Sequence, residues 1–409
     1  MQDTKLFETI LGIQAPWHID RVALSPTAER VDLWAAHRAT SWPCPECGGV
    51  VGIYDHAEER AWRHLDTCQY QTFLHARVPR VHCPTHGVRQ VRVPWAEPRS
   101  RFTALFERLL IDVLRQCSTV EGACRILRVS WDEAWGVMDR AVARGRAAKV
   151  PRAIRYLGVD EKAFRKGRQY HTIVCDIERG AVEYVAPGHG AETLMAFYDQ
   201  LTSAQQAALQ AVAMDMWDPY IKATRLSLPH GEDRIVFDRF HAMGHLTTAV
   251  DRVRKREHRD LLQATGDSPL KQTKYWWLYS AEHLPAEHRN AFADLRRQHL
   301  RVARAWAIKE QLRRLWSYRT LAGAGRFFKR WYHWARCSRL APVARAAATL
   351  RNYRDGVLRY VQHPITNGVA EGLNSKIMSI KRKACGFRNA EHFTIAIYFH
   401  CGGLELYPR

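Results

Sequence analysis

Acidic residues end two strand-like runs of the sequence. Asp160 ends the run over residues 155–160, and Asp215 ends the run over residues 209–215. A carboxylate at a buried strand end is costly unless it is paired or metal-bound, and two adjacent carboxylates repel each other. Mg²⁺ prefers such oxygen ligands, and two ions about 4 Å apart can hold both the attacking and the leaving oxygen of a phosphoryl displacement. These two acids therefore indicate metal-dependent phosphoryl transfer.

A third acid, Glu371, lies in a helical pattern over residues 365–383. The spacing places Asn374, Ser375 and Met378 on the same helix face. Cations lie on that face or just beyond it, at Lys376, Lys381, Arg382 and Lys383. Because Glu371 is the only acid among them, the helix alone favours an intrahelical salt bridge over a place in a metal site.

Three further acids are weaker candidates. Glu161 follows Asp160 directly, so on a strand its side chain is expected to face the other way. Asp218 and Asp238 are possible substitutes in the metal site. Asp218 comes directly before Pro219, a position that favours a helix cap instead.

The elements that would position these acids follow a basic stretch ending at Lys149. Strand-like runs cover residues 155–160, 171–176, 180–186, 209–215 and 234–238, with helical runs over residues 192–201 and from residue 219. Three meandering strands followed by alternating helices and strands predict a mixed sheet of the ribonuclease H type. Because sites gather at strand ends in open sheets, Asp160 and Asp215 are expected to be neighbours.

Two cysteine turns precede this region. Cys44 and Cys47 form one pair, Cys83 and His86 form the other, and Gly follows each pair. Two such pairs fit a closed tetrahedral zinc site whose role is structural. Cys68 is the alternative fourth ligand if His86 points away, and two unrelated turns with buried thiols are the remaining alternative.

The helical pattern over residues 101–146 contains two capping boxes, Ser118 with Glu121 and Ser130 with Glu133. Their separation of 12 residues suits a helix-turn-helix. The second helix could then bring its side chains near a groove of nucleic acid; the candidates are Trp131, Asp132, Trp135 and Arg140. The alternative is a helical linker in which Arg125 and Arg128 are solvated charges.

The net charge of +21 and the pI near 9.8 make a polyanion the expected partner. No apolar run approaches the ~18 residues of a membrane-spanning helix. The first 30 residues lack the layout of a signal peptide, so we expect a cytoplasmic protein. Ten cysteines are too sparse for a disulfide scaffold in a chain of 409 residues.

Residues 245–355 have no strand pattern and are read as an all-helical insertion. Residues 301–340 contain 11 Lys or Arg and eight aromatic residues against one acid, Glu310. This mixture suits a surface that follows phosphates, although aromatic residues at helical spacing can equally form a core. We expect most Trp side chains to be buried and most Arg side chains to contact DNA. The basic run 252–256 is either a solvated helix face or a contact to the DNA backbone.

Four ordered motifs resemble the ISL3 family of insertion-sequence transposases. They lie at residues 158–161, 215–220, 238–241 and 367–374, the last continuing to 386–389. The resemblance implies a ribonuclease H-like catalytic domain whose DDE triad is Asp160, Asp215 and Glu371. It also implies two Mg²⁺ or Mn²⁺ ions at that triad and a structural Zn²⁺ at Cys44, Cys47, Cys83 and His86. Family members commonly have Cys where this chain has His86, but His is a competent zinc ligand.

The same resemblance implies binding to terminal inverted repeats and to target DNA, with a homodimer when two ends are paired. The basic residues expected to contact DNA are Arg125, Arg128, Arg140, Lys376, Lys381, Arg382, Lys383 and Arg388. Strand cleavage by water would free a 3′ hydroxyl that attacks the target. The alternatives are a non-enzymatic DNA-binding regulator and a structure-selective nuclease on the same fold; no distinct motif indicates a Ser or Tyr recombinase.

The sequence thus predicts a multidomain α/β chain acting in the bacterial cytoplasm in association with the nucleoid. The expected parts are a zinc-ribbon-like module (1–97), a helix-turn-helix region (98–150), a catalytic core (151–244), the helical insertion (245–355), and a final core part that carries Glu371 (356–409).

Overall fold

Two β-sheets and a large helical region make up the computed structural model, which describes residues 3–117, 119–165, 169–365 and 368–408. No helix among these residues is long and apolar enough to cross a membrane. The prediction of a mixed α/β chain is confirmed.

The first sheet follows helix α1 (Asp3–Leu11). Its strands are β1 (Trp17–Ser25), β2 (Arg30–His37), β3 (Ser41–Pro43), β4 (Val50–Thr67), β5 (Tyr70–Cys83) and β6 (Gly87–Gln90). The spatial order is β1-β2-β5-β4-β3, with β6 beside β5. Strands β4 and β5 form one long antiparallel hairpin whose turn lies at Cys68 and Gln69. Alternate residues of β2, such as Leu33, are buried against Trp62 and Leu74 of that hairpin.

Three helices follow, and they are α2 (Ala104–Gln116), α3 (Val120–Leu127) and α4 (Trp131–Ala147). The predicted capping box of Ser130 and Glu133 is present at the start of α4. Helix α3 is capped by Thr119, whose side chain accepts the Gly122 N–H. The predicted cap of this helix, Ser118, lies outside the described residues. Arg128 turns the chain between α3 and α4 with a φ of 54°.

The second sheet holds the predicted acidic strand ends. Its elements in chain order are β7 (Tyr156–Arg165), β8 (Gln169–Asp176), β9 (Ala181–Pro187), α5 (Ala191–Tyr198), α6 (Ser203–Ala208), β10 (Ala211–Met214), α7 (Asp218–Ser227) and β11 (Ile235–Phe237). The spatial order is β11-β10-β7-β8-β9. Strands β7, β8 and β9 are antiparallel, whereas β10 is parallel to both β7 and β11. The predicted mixed sheet is therefore present.

The helical region begins directly after β11. Its helices are α8 (Arg239–Thr265), α9 (Lys274–Leu278), α10 (Arg289–Arg297), α11 (Arg301–Arg313), α12 (Leu321–Arg336), α13 (Ala341–Asn352) and α14 (Arg354–Arg359). It starts earlier than the predicted residue 245 because Asp238 caps α8 by accepting the Phe240 N–H. Trp306 and Trp331 are buried as expected, whereas Trp334 is exposed.

Buried polar groups also shape this helical region. The Lys309 ammonium is almost fully buried and donates to the carbonyls of Trp277, Leu278 and Tyr279 at the end of α9. Burial lowers the pKa of Lys309 to about 8. Its three bonds satisfy carbonyls that the helix end leaves without partners. Lys309 therefore has an internal structural role, and its buried ammonium is not available to DNA.

Two helices end the chain, α15 (Gly368–Lys383) and α16 (Ala390–Cys401). Together with α2, α3 and α4 they form one apolar core against the β8 and β9 side chains Ile173, Cys175, Val182 and Val185. A second core packs α5, α7 and the helical region on the other face of the sheet. The helix-turn-helix thus shares its core with α15 and α16.

Gly145 of α4 tests this close packing. A Cβ at Gly145 would lie 2.8 Å from the Leu404 Cβ and 2.9 Å from the Glu405 carbonyl oxygen. Overpacking costs about 1–3 kcal/mol, whereas Gly→Ala in a helix gains about 1 kcal/mol. We expect Gly145→Ala to lower the thermal unfolding midpoint.

The matched control is Gly136→Ala on the same helix, where a Cβ would meet only the Arg140 guanidinium at 3.5 Å. This variant should keep or raise the midpoint. Equal midpoints for the two variants would contradict the described packing.

Candidate functional site

The parallel pairing of β7 and β10 brings the first two acids together. Gly158 pairs with Ala213; two residues further along the chain come Asp160, in the middle of β7, and Asp215, directly after β10. The prediction that Asp160 ends its strand is wrong, because β7 continues beside β8 as far as Arg165. Both acids line one cavity of about 230 Å³. The cavity is also lined by Val159, Glu161, Met216, Trp217, Tyr220, His241 and His245. The expectation that Asp160 and Asp215 are neighbours is met.

Asp160 is the more buried of the two acids, with 15% of its side chain exposed against 32% for Asp215. Burial raises the pKa of the Asp160 carboxyl, and the Asp215 charge raises it further. The Glu161 N–H donates to Asp160 Oδ1 at 2.6 Å, and Lys162 Nζ lies 3.9 Å from Oδ2. The Lys162 charge and the Glu161 N–H both lower the pKa of Asp160. Asp160 is thus held in place while its charge stays incompletely balanced.

Asn374 of α15 also binds Asp160, since its side-chain amide donates to Asp160 Oδ2. Asn374 is 4% exposed, so the amide is fixed by packing. The sequence placed Asn374 on the face of Glu371 but assigned it no role. The spacing of three residues from Glu371 was the signal that could have identified it.

His241, in the first turn of α8, contacts the second acid. Its Nε2 lies 2.9 Å from Asp215 Oδ1. This contact raises the pKa of His241, although burial acts in the opposite direction. The imidazolium form therefore offsets part of the negative charge at Asp215. The sequence included His241 in a motif without giving it a function.

Glu371 lies near the start of α15, which packs against β7. Burial raises the pKa of its carboxyl, and the charges of Asp238, Asp160 and Asp215 raise it as well. Among the residues that the structure describes, no Lys or Arg forms an ion pair with Glu371. The intrahelical salt bridge that the helix alone favoured is therefore absent, and Glu371 lies within the field of the other acids.

Glu161 lines the same cavity as Asp160. The two side chains have different neighbours, in keeping with the expected alternation along a strand. Asp160 accepts from Asn374 of α15, whereas the charged neighbour of Glu161 is His189, and the Glu161 charge acts on Tyr220 of α7. Burial raises the pKa of Glu161, and the charges of Asp160 and Asp215 add to this effect.

Asp218 and Asp238 have other partners. Asp218 is the first residue of α7 and not its cap, a position that Trp217 holds without a side-chain bond. The predicted capping role of Asp218 is therefore wrong; its carboxylate accepts the Tyr353 hydroxyl at 2.8 Å. Asp238 is buried and caps α8.

The predicted zinc ligands form a compact cluster at one end of the β4–β5 hairpin. The ligand atoms of Cys44, Cys47, Cys83 and His86 all lie within 4.8 Å of one another. His86 Nδ1 lies 3.5 Å from Cys83 Sγ, and Cys47 Sγ lies 3.7 Å from Cys83 Sγ. Four ligands about 2.3 Å from a tetrahedral zinc ion stand about 3.8 Å apart, so this donor set fits Zn²⁺.

Backbone amides prepare this cluster for a cation. The N–H groups of Cys47 and Glu46 lower the pKa of the Cys44 thiol, and those of His86 and Thr85 lower the pKa of Cys83. Since zinc binds thiolates, these amides favour the binding form.

Cys68, the alternative fourth ligand, lies at the turn of the hairpin, and the 14 residues of β5 separate it from Cys83. It cannot reach the cluster, and the Cys68 alternative is wrong.

Three basic residues of the helix-turn-helix have protein partners. Arg125 is exposed and pairs with Glu121 of its own helix. Arg128 pairs with Asp66 beside the hairpin turn. Arg140 pairs with the buried carboxylate of Glu107.

The aromatic residues at the start of α4 differ from one another. Trp135 was expected near a groove of nucleic acid, but it is buried, and its ring lies tilted against that of His392 of α16 with the centroids 4.4 Å apart. That expectation is wrong because α16 covers this part of α4. Trp131 remains 42% exposed, and Asp132 is exposed beside it.

The basic residues after Glu371 line the end of α15. Lys376 donates to the His400 carbonyl at 2.6 Å, and Lys381 donates to the Ala163 carbonyl at 2.9 Å. Arg382 makes only a weak bond to a carbonyl of its own helix. Lys383 and Arg388 are exposed, and their side chains have no hydrogen bond or ion pair with the described residues. This end of α15 therefore presents free positive charge.

We expect Cys47→Ala to abolish zinc binding, because it removes one of four ligands from a closed site. The metal content of the purified protein, measured by mass spectrometry, and the thermal midpoint should both fall. Cys68→Ala is the matched control, since both cysteines are exposed but only Cys47 belongs to the cluster. Zinc loss from the Cys68 variant, or full zinc in the Cys47 variant, would refute the assignment.

We expect Asp160→Asn to stabilise the metal-free protein at neutral pH. The folded-state pKa of Asp160 is above the ordinary value of 3.8, so the ionised carboxylate opposes folding. The gain should be largest at neutral pH and vanish as the pH falls well below 3.8, where Asp160 is protonated in both the folded and the unfolded state.

Thermal unfolding at a series of pH values measures the gain. Asp218→Asn, which changes an acid outside the cavity, should give none. A variant less stable than the parent at neutral pH would contradict the cost assigned to the Asp160 charge.

Comparisons with known proteins agree with this arrangement. A model of the ISL3 DDE family, described as a transposase, matches residues 157–397. The helix-turn-helix domain of transposase family ISL3 matches residues 91–142, and the zinc finger of transposase IS204/IS1001/IS1096/IS1165 matches residues 40–86.

Two curated relatives align over nearly their whole length. The transposase for insertion sequence element IS1001 of Bordetella parapertussis is 28% identical over 405 residues, covering 97% of this chain and 98% of the relative. The transposase for insertion sequence element IS1557 of Mycobacterium tuberculosis is 27% identical over 421 residues, covering 96% and 94%. The catalytic-domain match alone spans more than half of the chain. The protein therefore belongs to the ISL3 family of insertion-sequence transposases, with a DDE domain, a helix-turn-helix and a zinc ribbon.

Proposed function

We propose that this transposase cuts DNA at the ends of its insertion sequence and joins them to target DNA, using Asp160, Asp215 and Glu371 as the catalytic triad. The observation that carries the proposal is the shared cavity of Asp160 and Asp215, which lie just beyond the last paired residues of the parallel strands β7 and β10. Glu371 lies within the electrostatic reach of both. The order β11-β10-β7-β8-β9 supports a ribonuclease H-like core.

The donor set of the cavity fits two divalent cations. Asp160 and Asp215 line the cavity, whereas Glu371 is exposed and is not among the residues that line it. Burial and the neighbouring acids raise the pKa values of Asp160 and Glu371, so negative charge accumulates here that hard cations would neutralise. When bound, Mg²⁺ or Mn²⁺ would supply activation of the attacking oxygen and stabilisation of the leaving oxygen. Glu161 is a further oxygen donor at the same cavity.

The chain's own residues orient this chemistry. Asn374 and the Glu161 N–H fix the Asp160 carboxylate, so its free electron pairs have a constant direction. His241 holds Asp215 from the side of α8. Water would attack the phosphodiester first, and the 3′ hydroxyl that is freed would then attack the target strand. No covalent bond to the protein is required.

DNA recognition is assigned to the N-terminal half of the chain. The zinc ribbon and the helix-turn-helix would bind the terminal inverted repeats, with Arg125, Trp131 and Asp132 exposed on the latter. Arg128 and Arg140 would mainly hold the motif together, given their carboxylate partners. Near the catalytic cavity, the candidates for phosphate contacts are Lys376, Lys381, Arg382, Lys383 and Arg388.

We assign five parts to the chain: the zinc module to about residue 97, the helix-turn-helix to 150, the catalytic core to 238, the helical insertion from Arg239, and the final core part with α15 and α16. Pairing of two element ends would require two copies of the chain, and a homodimer is the simplest such assembly.

We expect Asp160→Asn and Glu371→Gln each to reduce strand cleavage by at least 100-fold, on the order of 3 kcal/mol of transition-state stabilisation. The substrate is DNA carrying the element's own ends, with Mn²⁺ or Mg²⁺ added. Binding of the same DNA, measured by mobility shift, should remain close to that of the parent.

Asp218→Asn is the matched control and should retain cleavage, because Asp218 lies outside the cavity. Cleavage by the Asp160 variant would overturn the triad. Binding without cleavage by the unaltered chain would indicate a regulator. Cleavage of branched DNA without element ends would indicate a structure-selective nuclease.

A further inference from the structure

A second groove continues from the catalytic cavity along α8 and α13. It has a volume of about 390 Å³ and shares His241 and His245 with the catalytic cavity. On α8 its lining extends from Phe240 to Arg252, and on α13 it includes Arg345 and Thr349. Twelve helical residues cover about 18 Å, a length that accommodates roughly five stacked nucleotides of one strand. We refer to it as the α8–α13 groove.

The residues that line the α8–α13 groove include Arg252 and Arg345 and no Asp or Glu. Asp251 precedes Arg252 on α8, but its carboxylate pairs with Arg254 and Lys255. Arg252 and Arg345 are exposed, and neither forms an ion pair or side-chain hydrogen bond with any residue that the structure describes. By contrast, the neighbouring Arg254 is buried and pairs with Asp251. Of the basic run 252–256, Arg252 is thus the member that faces this groove.

An exposed aromatic ring stands where the groove meets the cavity. Phe240 is 67% exposed and precedes His241, the partner of Asp215. Water exposure of a whole phenyl ring is unfavourable, and nucleic-acid bases stack on such rings. The Thr248 hydroxyl and the open surface of Gly244 lie between this ring and Arg252. The groove thus alternates an aromatic platform with polar and cationic contacts.

The width of the groove separates a single strand from a duplex. Helices α8 and α13 pack directly against each other, and helices in contact have axes about 8–10 Å apart. A furrow between two such helices is narrower than the ~12 Å major groove of a duplex alone, so a whole duplex cannot enter it.

We propose that the α8–α13 groove binds one DNA strand, separated from its complement, as that strand passes to or from the catalytic cavity. Arg252 and Arg345 bind its phosphates, and Phe240 stacks on the base next to the cleaved bond. The proposal rests on the proposed function, because the strand has a reason to be there only if the cavity acts on DNA.

The test measures single-strand binding by the full-length, zinc-loaded protein without added Mg²⁺ or Mn²⁺. The probes are a fluorescent oligothymidine of about 12 nucleotides and a random duplex of equal length, titrated at salt concentrations from about 50 to 200 mM. Each phosphate contact to a single strand contributes about 0.7 to the magnitude of the slope of log affinity against log salt. The double variant Arg252→Ala with Arg345→Ala removes two contacts, so the magnitude of this slope for the oligothymidine should fall by about 1.4.

Two further variants separate charge from stacking. Phe240→Ala should weaken oligothymidine binding about tenfold without changing the salt slope. Arg252→Lys with Arg345→Lys should restore the slope, which a misfolded protein could not do. The matched control, Lys222→Ala with Lys271→Ala, removes two exposed cations outside the groove and should leave oligothymidine binding intact.

The outcomes are distinct. An unchanged salt slope in the double alanine variant overturns the proposal. Equal losses for duplex and oligothymidine also overturn it, and would identify a contact to duplex backbone. Asp160→Asn tests the assignment of the catalytic triad separately from that of the groove. Loss of cleavage with normal oligothymidine binding in this variant supports both assignments. Cleavage by Asp160→Asn would refute the triad and not the groove.

Discussion

The repulsion between Asp160 and Asp215 is the constraint around which the catalytic half of this protein is organised. The parallel register of β7 and β10 fixes the two carboxylates beside each other, and burial increases the cost of their charges. The surrounding groups lower that cost without removing it. His241 approaches Asp215, whereas Asn374 and a backbone amide bind Asp160. The remaining negative charge is what would attract cations to this site.

Helix α15 links that constraint to DNA recognition. One face of α15 carries Glu371 and Asn374 toward β7, while its apolar residues share a core with α16 and the helix-turn-helix. Trp135 of α4 packs against His392 of α16, so the second helix of the motif is attached to the catalytic half through aromatic rings in contact. The zinc-bearing sheet is joined to the same motif by Arg128 and Asp66. Recognition and catalysis are therefore parts of one packed structure.

Local patterns predicted much of this arrangement, because the parallel pairing of β7 with β10 places Asp160 and Asp215 together, and the cysteine spacing places four zinc ligands together. The sequence pattern did not show that β7 continues past Asp160 to Arg165. Tertiary contacts determined the rest. No local sequence feature of Glu371 distinguishes a residue of the candidate site from a partner in a salt bridge. The position of Glu371 depends on the packing of α15 against β7. In sequence, Trp135 and Arg140 resemble residues that face a groove of nucleic acid. In the structure, Trp135 packs against His392, and Arg140 forms an ion pair with Glu107.

Helix α8 has a mechanical consequence. It begins at Asp238, beside the acids, and continues without interruption for 27 residues, or about 40 Å. The stretch contains no Pro, and α11 and α13 pack along it, so α8 is one stiff element whose first turn lies at the acids. A tilt of about 5° at its first turn would move the far end by roughly 3.5 Å. The position of His241 against Asp215 is therefore tied to the packing of the whole helical region.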